Sequence, residues 1–463
     1  MLVGDAPPTD RRRGRRGLGA TMVQTSGLEP AAVLHPRRRR LGWWTRAAVQ
    51  AGLAAAALSR MLGLGTGSII GGRVTLALDH RALHRLAAGR RVVLVSGTNG
   101  KTTTNHLIAA AVRTVGPLAH NAGGSNMPDG VVAALADAPD AGYAVIEVDE
   151  LHLAAIADAV DPMVVVLLNL TRDQLDRATE VGAIAAAIRR ALTRHPHTVV
   201  VANADDPMVV SAVGTAPRAV WVAAGASWLG DVATCPRCGH ILTFTNSDVT
   251  IGPGGGGRGE QDWECECGLA RPTPDWWIED GKACTVDTLL PLEIRLPGQI
   301  NLGNGVMALA SACAVGVPAD QAAPALRQVQ VVAGRYATVH RGAQTLRMLL
   351  AKNPAGWAGM LSILSAPTPL LVIINAREAD GRDTSWLWDV PFEQLSSRPV
   401  VASGERAADL GVRLSYAGLE HQTVSDPLAA LAALPEGAVD VVANYTAFRD
   451  LRQRLSRERQ AVG

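Results

Sequence analysis

Lysine is almost missing from this sequence. Of the 44 lysines and arginines in the 463-residue chain, only residues 101, 282 and 352 are lysine. Where a positive charge is merely wanted, the chain uses arginine, so a lysine kept at one special place marks a need for a compact point charge rather than a planar fork. Long apolar runs are missing too. A membrane span needs roughly 20 uncharged apolar residues; the nearest approach, residues 48–63, is interrupted by Arg60 and reads as an Ala-rich amphipathic helix. The first arginines are not followed by an apolar core and a small-residue cleavage site, so no secretory signal is expected. A cytoplasmic protein, peripheral at most to the inner face of the membrane, is the expectation. Cysteine is also sparse. Four of the six cluster in one segment, while Cys284 and Cys313 sit alone in surroundings that suit core positions.

What is present fits a globular protein of two or three domains, with 48% hydrophobic residues and a net charge of +2. The charge is unevenly spread. Residues 1–40 hold nine arginines against three acids, a composition too poor in apolar side chains to order itself and suited to contact with anionic lipid or nucleic acid.

The chain is organised around residues 91–104. Arg91-Val-Val-Leu-Val-Ser reads as a buried strand, Gly97-Thr98-Asn99-Gly100 as a turn, and Lys101-Thr102-Thr103-Thr104 with the residues after it as a helix. Strand, glycine-rich turn and helix in that order form a phosphate cradle. Glycines let backbone N–H groups close on phosphate oxygens, and the helix N-terminus adds the positive end of its dipole. Lys101 would reach the outer phosphates, and the Thr102 hydroxyl would hold Mg2+. The strict Walker pattern wants glycine where Val95 stands, so this is a shortened variant. Further apolar strands alternate with helices, at 143–147, 163–169, 198–202 and 219–222, which predicts a parallel sheet covered on both faces. Residues 41–90 read as that Ala-rich helix, then Gly-rich turns that include Ile70-Gly-Gly-Arg, then a helix over 81–88.

The alternation breaks at residues 230–275. Cys235-Pro-Arg-Cys238-Gly is answered by Cys265-Glu-Cys267-Gly across a glycine-rich spacer, which fits a zinc ribbon with four thiolate ligands; His240 is a substitute ligand. A third piece begins near Gly334-Arg335 and reads as another α/β unit, of the size of a mononucleotide-binding half. No cysteine looks like an activated nucleophile with a histidine base.

These motifs together resemble the Mur ligase family, over about residues 41–460. Gly97–Thr102 is similar to its nucleotide loop and Ala144-Val-Ile-Glu147 to its strand ending in a metal-binding Glu. Asn169-Leu-Thr-Arg-Asp173-Gln-Leu-Asp176 resembles N-L-x-x-D-H-L-D, with Gln174 in place of the histidine offered to a second magnesium. Gly298-Gln-Ile-Asn301-Leu-Gly-Asn304 resembles the adenine-proximal segment, and Arg335 stands where a nucleotide-contacting arginine is found. The resemblance implies an α/β fold: a central parallel-sheet ATPase domain (41–333) with the inserted zinc ribbon, and a C-terminal Rossmann-like domain (334–463). The ribbon and the segment from Asp380 to Asp389 point to the branch that amidates D-glutamate in the lipid II stem peptide. What that branch implies is ATP and Mg2+ as cofactors, structural Zn2+, an acyl phosphate intermediate, and a heterodimer with a glutaminase subunit, GatD. To that partner this chain would contribute an aspartate: Asp389, then Asp383, with Asp380 as a third choice. The alternatives are a Mur ligase that adds an amino acid to a peptidoglycan precursor, and a zinc-ribbon nucleic-acid-binding ATPase.

Overall fold

The computed structural model describes residues 41–62, 67–172, 181–225, 233–244, 262–329, 336–361, 363–364, 367–395 and 398–462. The arginine-rich segment 1–40, Asp173, Gln174, Asp176 and Arg335 lie outside the described residues.

Two helices, α1 (Trp43–Met61) and α2 (Ser68–Leu78), precede the short α3 (Ala82–Ala87). The first sheet then alternates with helices: β1 (Arg91–Ser96), α4 (Lys101–Val112), β2 (Leu118–His120), α5 (Pro128–Asp137), β3 (Tyr143–Glu147), α6 (Leu153–Val160), β4 (Val164–Leu167), α7 (Val181–Arg194), β5 (Val199–Asn203), α8 (Pro207–Val213) and β6 (Ala219–Val222). All its pairings are parallel, in the order β2-β3-β1-β4-β5-β6. Successive residues of β1 serve opposite cores, as period-two alternation requires. Val92 and Leu94 pack towards α3, α5, α6 and α7, whereas Val93 and Val95 pack towards α4 and the later helices α9 (Ile300–Ala314) and α10 (Ala319–Leu326). The order of strands diverges on the two sides of β1, so the crevice beyond its carboxyl end is the topological switch point where ligands bind in open α/β sheets.

Among the described residues between β6 and α9, β7 (Thr243–Phe244) and β8 (Trp263–Glu264) pair with each other, and β9 (Trp277–Glu279), β10 (Lys282–Cys284) and β11 (Leu289–Pro291) form a small antiparallel sheet. The cysteine module is clamped to the main sheet. Buried Arg271 donates to Asp205 at 2.8 Å, and the Trp221 N–H donates to Asp275 at 2.8 Å.

The C-terminal unit holds β12 (Tyr336–Arg341), β13 (Gln344–Leu350), α11 (Pro354–Leu361), β14 (Leu370–Ile373), β15 (Val400–Ser403), α12 (Ala407–Tyr416), β16 (His421–Thr423), α13 (Pro427–Ala432), β17 (Gly437–Ala443) and α14 (Tyr445–Val462). Its sheet runs β12-β13-β17-β14-β15-β16, parallel except for the β12–β13 hairpin, which the sequence reading did not anticipate.

One local expectation is corrected. Ile70-Gly-Gly-Arg lies inside α2 and is not a turn. Gly71 and Gly72 are there because backbones touch: a Cβ on Gly72 would come within 1.9 Å of the Asp129 carbonyl, and one on Gly52 within 2.5 Å of the Gly71 carbonyl. Glycine's poor helix propensity, about 1 kcal/mol against alanine, is outweighed by this close packing.

Candidate active site at the switch point of the first sheet

The site is built at the end of β1. Gly97 and Gly100 both adopt positive φ, 140° and 83°, and a Cβ at Gly100 would lie 2.6 Å from Asn304 Oδ1. Only glycine fits both the conformation and the approach. The turn is held from the neighbouring strand end. The Asn99 N–H donates to Asn169 Oδ1 at 2.8 Å, and Asn169 Nδ2 donates back to the Asn99 carbonyl at 3.0 Å. Thr98 exchanges hydrogen bonds with Thr171, both 3.0 Å. Helix α4 then starts at Lys101 and aims its N-terminal N–H groups into the crevice, an arrangement that accepts phosphate.

Lys101 is folded back. Its Nζ donates to the Gly97 carbonyl and to Glu150 Oε2 at 3.0 Å, with both side chains less than 10% exposed. A phosphate can replace this carboxylate and these carbonyls as partners of the ammonium. Glu150 thus holds this lysine, while its neighbour Asp149 caps the turn by accepting from the Leu151 N–H at 3.0 Å.

Glu147 ends β3, 2% exposed. Asn126 Nδ2 donates to its Oε1 at 3.3 Å, but its buried Oε2 has no hydrogen-bond partner. A methyl group on Gly124 would sit 3.6 Å from that oxygen and 3.7 Å from Thr102 Oγ1, so the two oxygens flank one small space. A buried carboxylate oxygen without a partner, beside a hydroxyl at the phosphate loop, fits a divalent cation with oxygen ligands. The polar loop after β2 supports it. Asn121 accepts from Asn105 Nδ2 at 3.1 Å and from the Glu147 N–H at 2.9 Å, and donates to the Glu147 carbonyl at 2.8 Å. His120, the last residue of β2, is kept neutral by burial, its pKa lowered to about 3.

On the other side of Gly100 a cleft opens between α9 and the ends of β4, β5 and β6, lined by Asn99, Asn169, Asn203, Gly225, Ile300 and Asn304 among others. Asn304 accepts from Thr104 Oγ1 at 3.3 Å and donates to Asn301 at 3.0 Å, and Asn301 donates to the Pro297 carbonyl at 2.6 Å. The buried Asn99 side-chain amide has no partner and is available to a ligand. Of the residues expected to hold nucleotide, Asn99, Gly100 and Asn304 line this cleft, Asn301 is tied to it through Asn304, and Gly97, Thr98, Lys101, Thr102 and Thr103 belong to the same turn and helix start. Sequence reasoning missed Asn203 and gave Glu150, Asn121 and Asn126 no assigned role, since an isolated Asn or Glu carries no motif.

The four cysteines converge elsewhere. Cys235 and Cys267 lie 3.6 Å apart, Cys238 and Cys265 3.4 Å, and all four sulfurs lie within 4.8 Å of one another. Each pair turns on a positive-φ glycine, Gly239 or Gly268. The Leu269 N–H draws the Cys267 thiol down to about 7. Four sulfurs so placed fit tetrahedral zinc. His240 is not a substitute ligand: it is exposed and faces Glu266 at 3.8 Å.

The three aspartates of the C-terminal unit have different fates. Asp380 is 4% exposed and caps α14, accepting from the Thr446 N–H at 2.8 Å and from its hydroxyl, so it faces inward. Asp383 closes a local turn through the Ser385 N–H at 2.8 Å, which holds its carboxyl below the usual range. Asp389 ends a 3-10 turn over Ser385–Asp389, 40% exposed and 3.4 Å from Arg172. Beside it Trp388, 54% exposed, meets exposed Tyr416 edge-on at 5.3 Å and has Arg413 stacked on it.

Residues 95–225 match the Mur ligase middle domain, and residues 350–448 match the MurT ligase C-terminal family. The lipid II isoglutaminyl synthase (glutamine-hydrolyzing) subunit MurT of Streptococcus pneumoniae is 29% identical over 86% of this chain and 94% of its own. That of Staphylococcus aureus is 28% identical over 84% and 93%. Among solved structures, a pseudomurein peptide ligase type C from Methanothermus fervidus superposes with a TM-score of 0.62 at 18% identity, covering 80% of this chain and 79% of that one. MurF from Acinetobacter baumannii gives 0.59 at 17%, covering 83% and 80%. The chain thus has the fold of Mur-type peptide ligases, and in it a segment matching the Mur ligase middle domain is followed by one matching the MurT ligase C-terminal family.

Proposed function

We propose that the protein is the synthetase subunit of a glutamine-dependent enzyme that amidates the D-glutamate α-carboxylate of the lipid II stem peptide to D-isoglutamine. The observation that carries this reading is the match along almost the full length of relatives bearing that name, over both sheets of the fold. In the reaction a carboxylate oxygen takes the γ-phosphoryl group of ATP and ADP leaves. Ammonia then attacks the acyl carbon, and inorganic phosphate departs with the oxygen. Lys101 exchanges Glu150 and the loop carbonyls for phosphate oxygens, and the α4 N-terminus holds the β-phosphate. Thr102 and Glu147 would hold Mg2+, whose charge offsets that of the crowded phosphates. Gly97, Thr98, Asn99, Gly100 and Thr103 line the phosphates, Asn301 and Asn304 the nucleoside; Arg335, outside the described residues, is assigned the nucleotide as well. Positioning and charge neutralisation are what phosphoryl transfer requires of a protein.

The described cysteines suit no glutaminase nucleophile. Four form the cluster, Cys284 is 2% exposed, and desolvation pushes the Cys313 thiol up to about 12. Ammonia therefore comes from a partner glutaminase, the subunit GatD, and Asp389 in its exposed aromatic patch is assigned to orient that partner's histidine. The test is amide formation on lipid II with ATP in the absence of a partner. Product is expected with ammonium and not with glutamine; ligation of an added amino acid without amidation would transfer the chain to the amino-acid-adding Mur ligases.

The cysteine module is assigned structural zinc. The purified protein should carry about one zinc per chain, and C235S/C267S should lose it and melt lower, because metal-binding energy is folding energy. Retention of zinc by that variant would sink the assignment.

A further inference from the structure

The first two helices are unlike the rest of the surface. Trp43, Trp44, Leu58, Met61, Leu62, Ile69, Ile70 and Leu78 are each between 39% and 84% exposed, and they all lie within 36 residues. On α1 the outward stripe Trp43, Ala47, Gln50, Ala54, Leu58, Met61 follows helical spacing and is apolar but for Gln50. Scattered exposed apolar residues need no explanation, but a contiguous face of this kind does.

Charge says what covers it. Residues 41–78 contain no acid; their charges are Arg46, Arg60 and Arg73, all exposed, and Arg37–Arg40 come just before. An apolar face bordered by tryptophans and arginines and free of acids complements an anionic lipid surface, where indoles sit at the headgroup level and arginines meet phosphates. Neither helix is long and apolar enough to cross a membrane, so the fit is to the interface plane.

Position ties the face to the site. Helix α2 is pressed onto α5 through Gly72 and Asp129, with Arg73 paired to Asp129 at 3.0 Å. The segment just before α5 carries Asn126, which donates to Glu147, and half-exposed Met127. The face and the candidate cation site are thus two sides of one packed corner.

We propose that α1 and α2 form an interfacial docking surface for anionic phospholipid that holds the crevice against the bilayer. The proposal does not depend on the amidation chemistry, because its test contains no substrate. The full chain is floated with vesicles of phosphatidylglycerol and phosphatidylcholine, or of phosphatidylcholine alone. Binding is expected to the anionic vesicles, to weaken in high salt, and to fall by about tenfold in L58Q/M61Q/I69Q/I70Q. These side chains are exposed, so the melting temperature should hold, and V286S, an exposed apolar residue elsewhere, should float as the parent does. Three outcomes would overturn the proposal: no flotation; flotation untouched by the four-glutamine change and lost only on neutralising arginines, which assigns binding to the basic segment alone; or a dimer of the parent chain that this change dissociates, which assigns the face to a second copy.

Discussion

Replacing Lys101 with methionine is expected to cut ammonium-dependent amide formation by about a thousandfold, the scale of losing one preorganised charge at the reacting phosphate. The same change should lower stability, because Glu150 is then left buried without its cation. Breaking a buried pair by removing one member costs about 3–5 kcal/mol, and neither side chain is more than 9% exposed. The two effects separate in K101M/E150Q, which removes the orphaned charge. Its melting temperature should return most of the way while the activity stays lost. If the double variant recovered activity together with stability, Lys101 would be a folding residue and the assignment of this loop to the phosphates would fail.

Asparagine at Asp389 should separate two nitrogen sources. With the glutaminase present, D389N is expected to lose glutamine-dependent amidation by 10^3–10^4-fold, roughly the cost of a wrongly oriented catalytic histidine. The ammonium-dependent rate should stay at the parent level, because Asp389 contacts neither the phosphate loop nor Glu147. D383N should change little, since its carboxylate serves a local turn. Equal loss with both nitrogen sources would mean that Asp389 acts through its contact with Arg172 on the central domain. Loss confined to D383N would move the role to that residue. A partner-binding assay with W388S reports on the same surface: Trp388 and Tyr416 are both more than half exposed and meet each other, with Arg413 stacked on Trp388, so removal of the indole is expected to weaken docking without loosening the core.

Much of this molecule was legible because its information is local. Periodicity placed strands β1, β3, β4, β5 and β6 within about two residues, since a strand buried on both faces reads as an unbroken apolar run. The phosphate turn was legible because its glycines are forced by positive φ, and the cysteine module because the two short spacings bring sulfurs together however long the spacer between them. Helix α2 was misread for the opposite reason. Propensity opposes a Gly-Gly pair in a helix, and only the approach of α1 and α5, remote in sequence, explains it.

Sequence by itself determined the local pieces: a glycine-rich strand-turn-helix with one lysine, a four-thiol module, two α/β units in series. Tertiary structure decided what surrounds each carboxylate. Glu150 and Glu147 are three residues apart, yet one neutralises Lys101 while the other keeps an oxygen without a partner beside Thr102. Among three aspartates within ten residues, one is spent on a helix cap, one on a turn, and one faces outward. A carboxylate's role depends on what surrounds it, through burial and the charges brought within a few ångströms, and those neighbours come from other strands and helices.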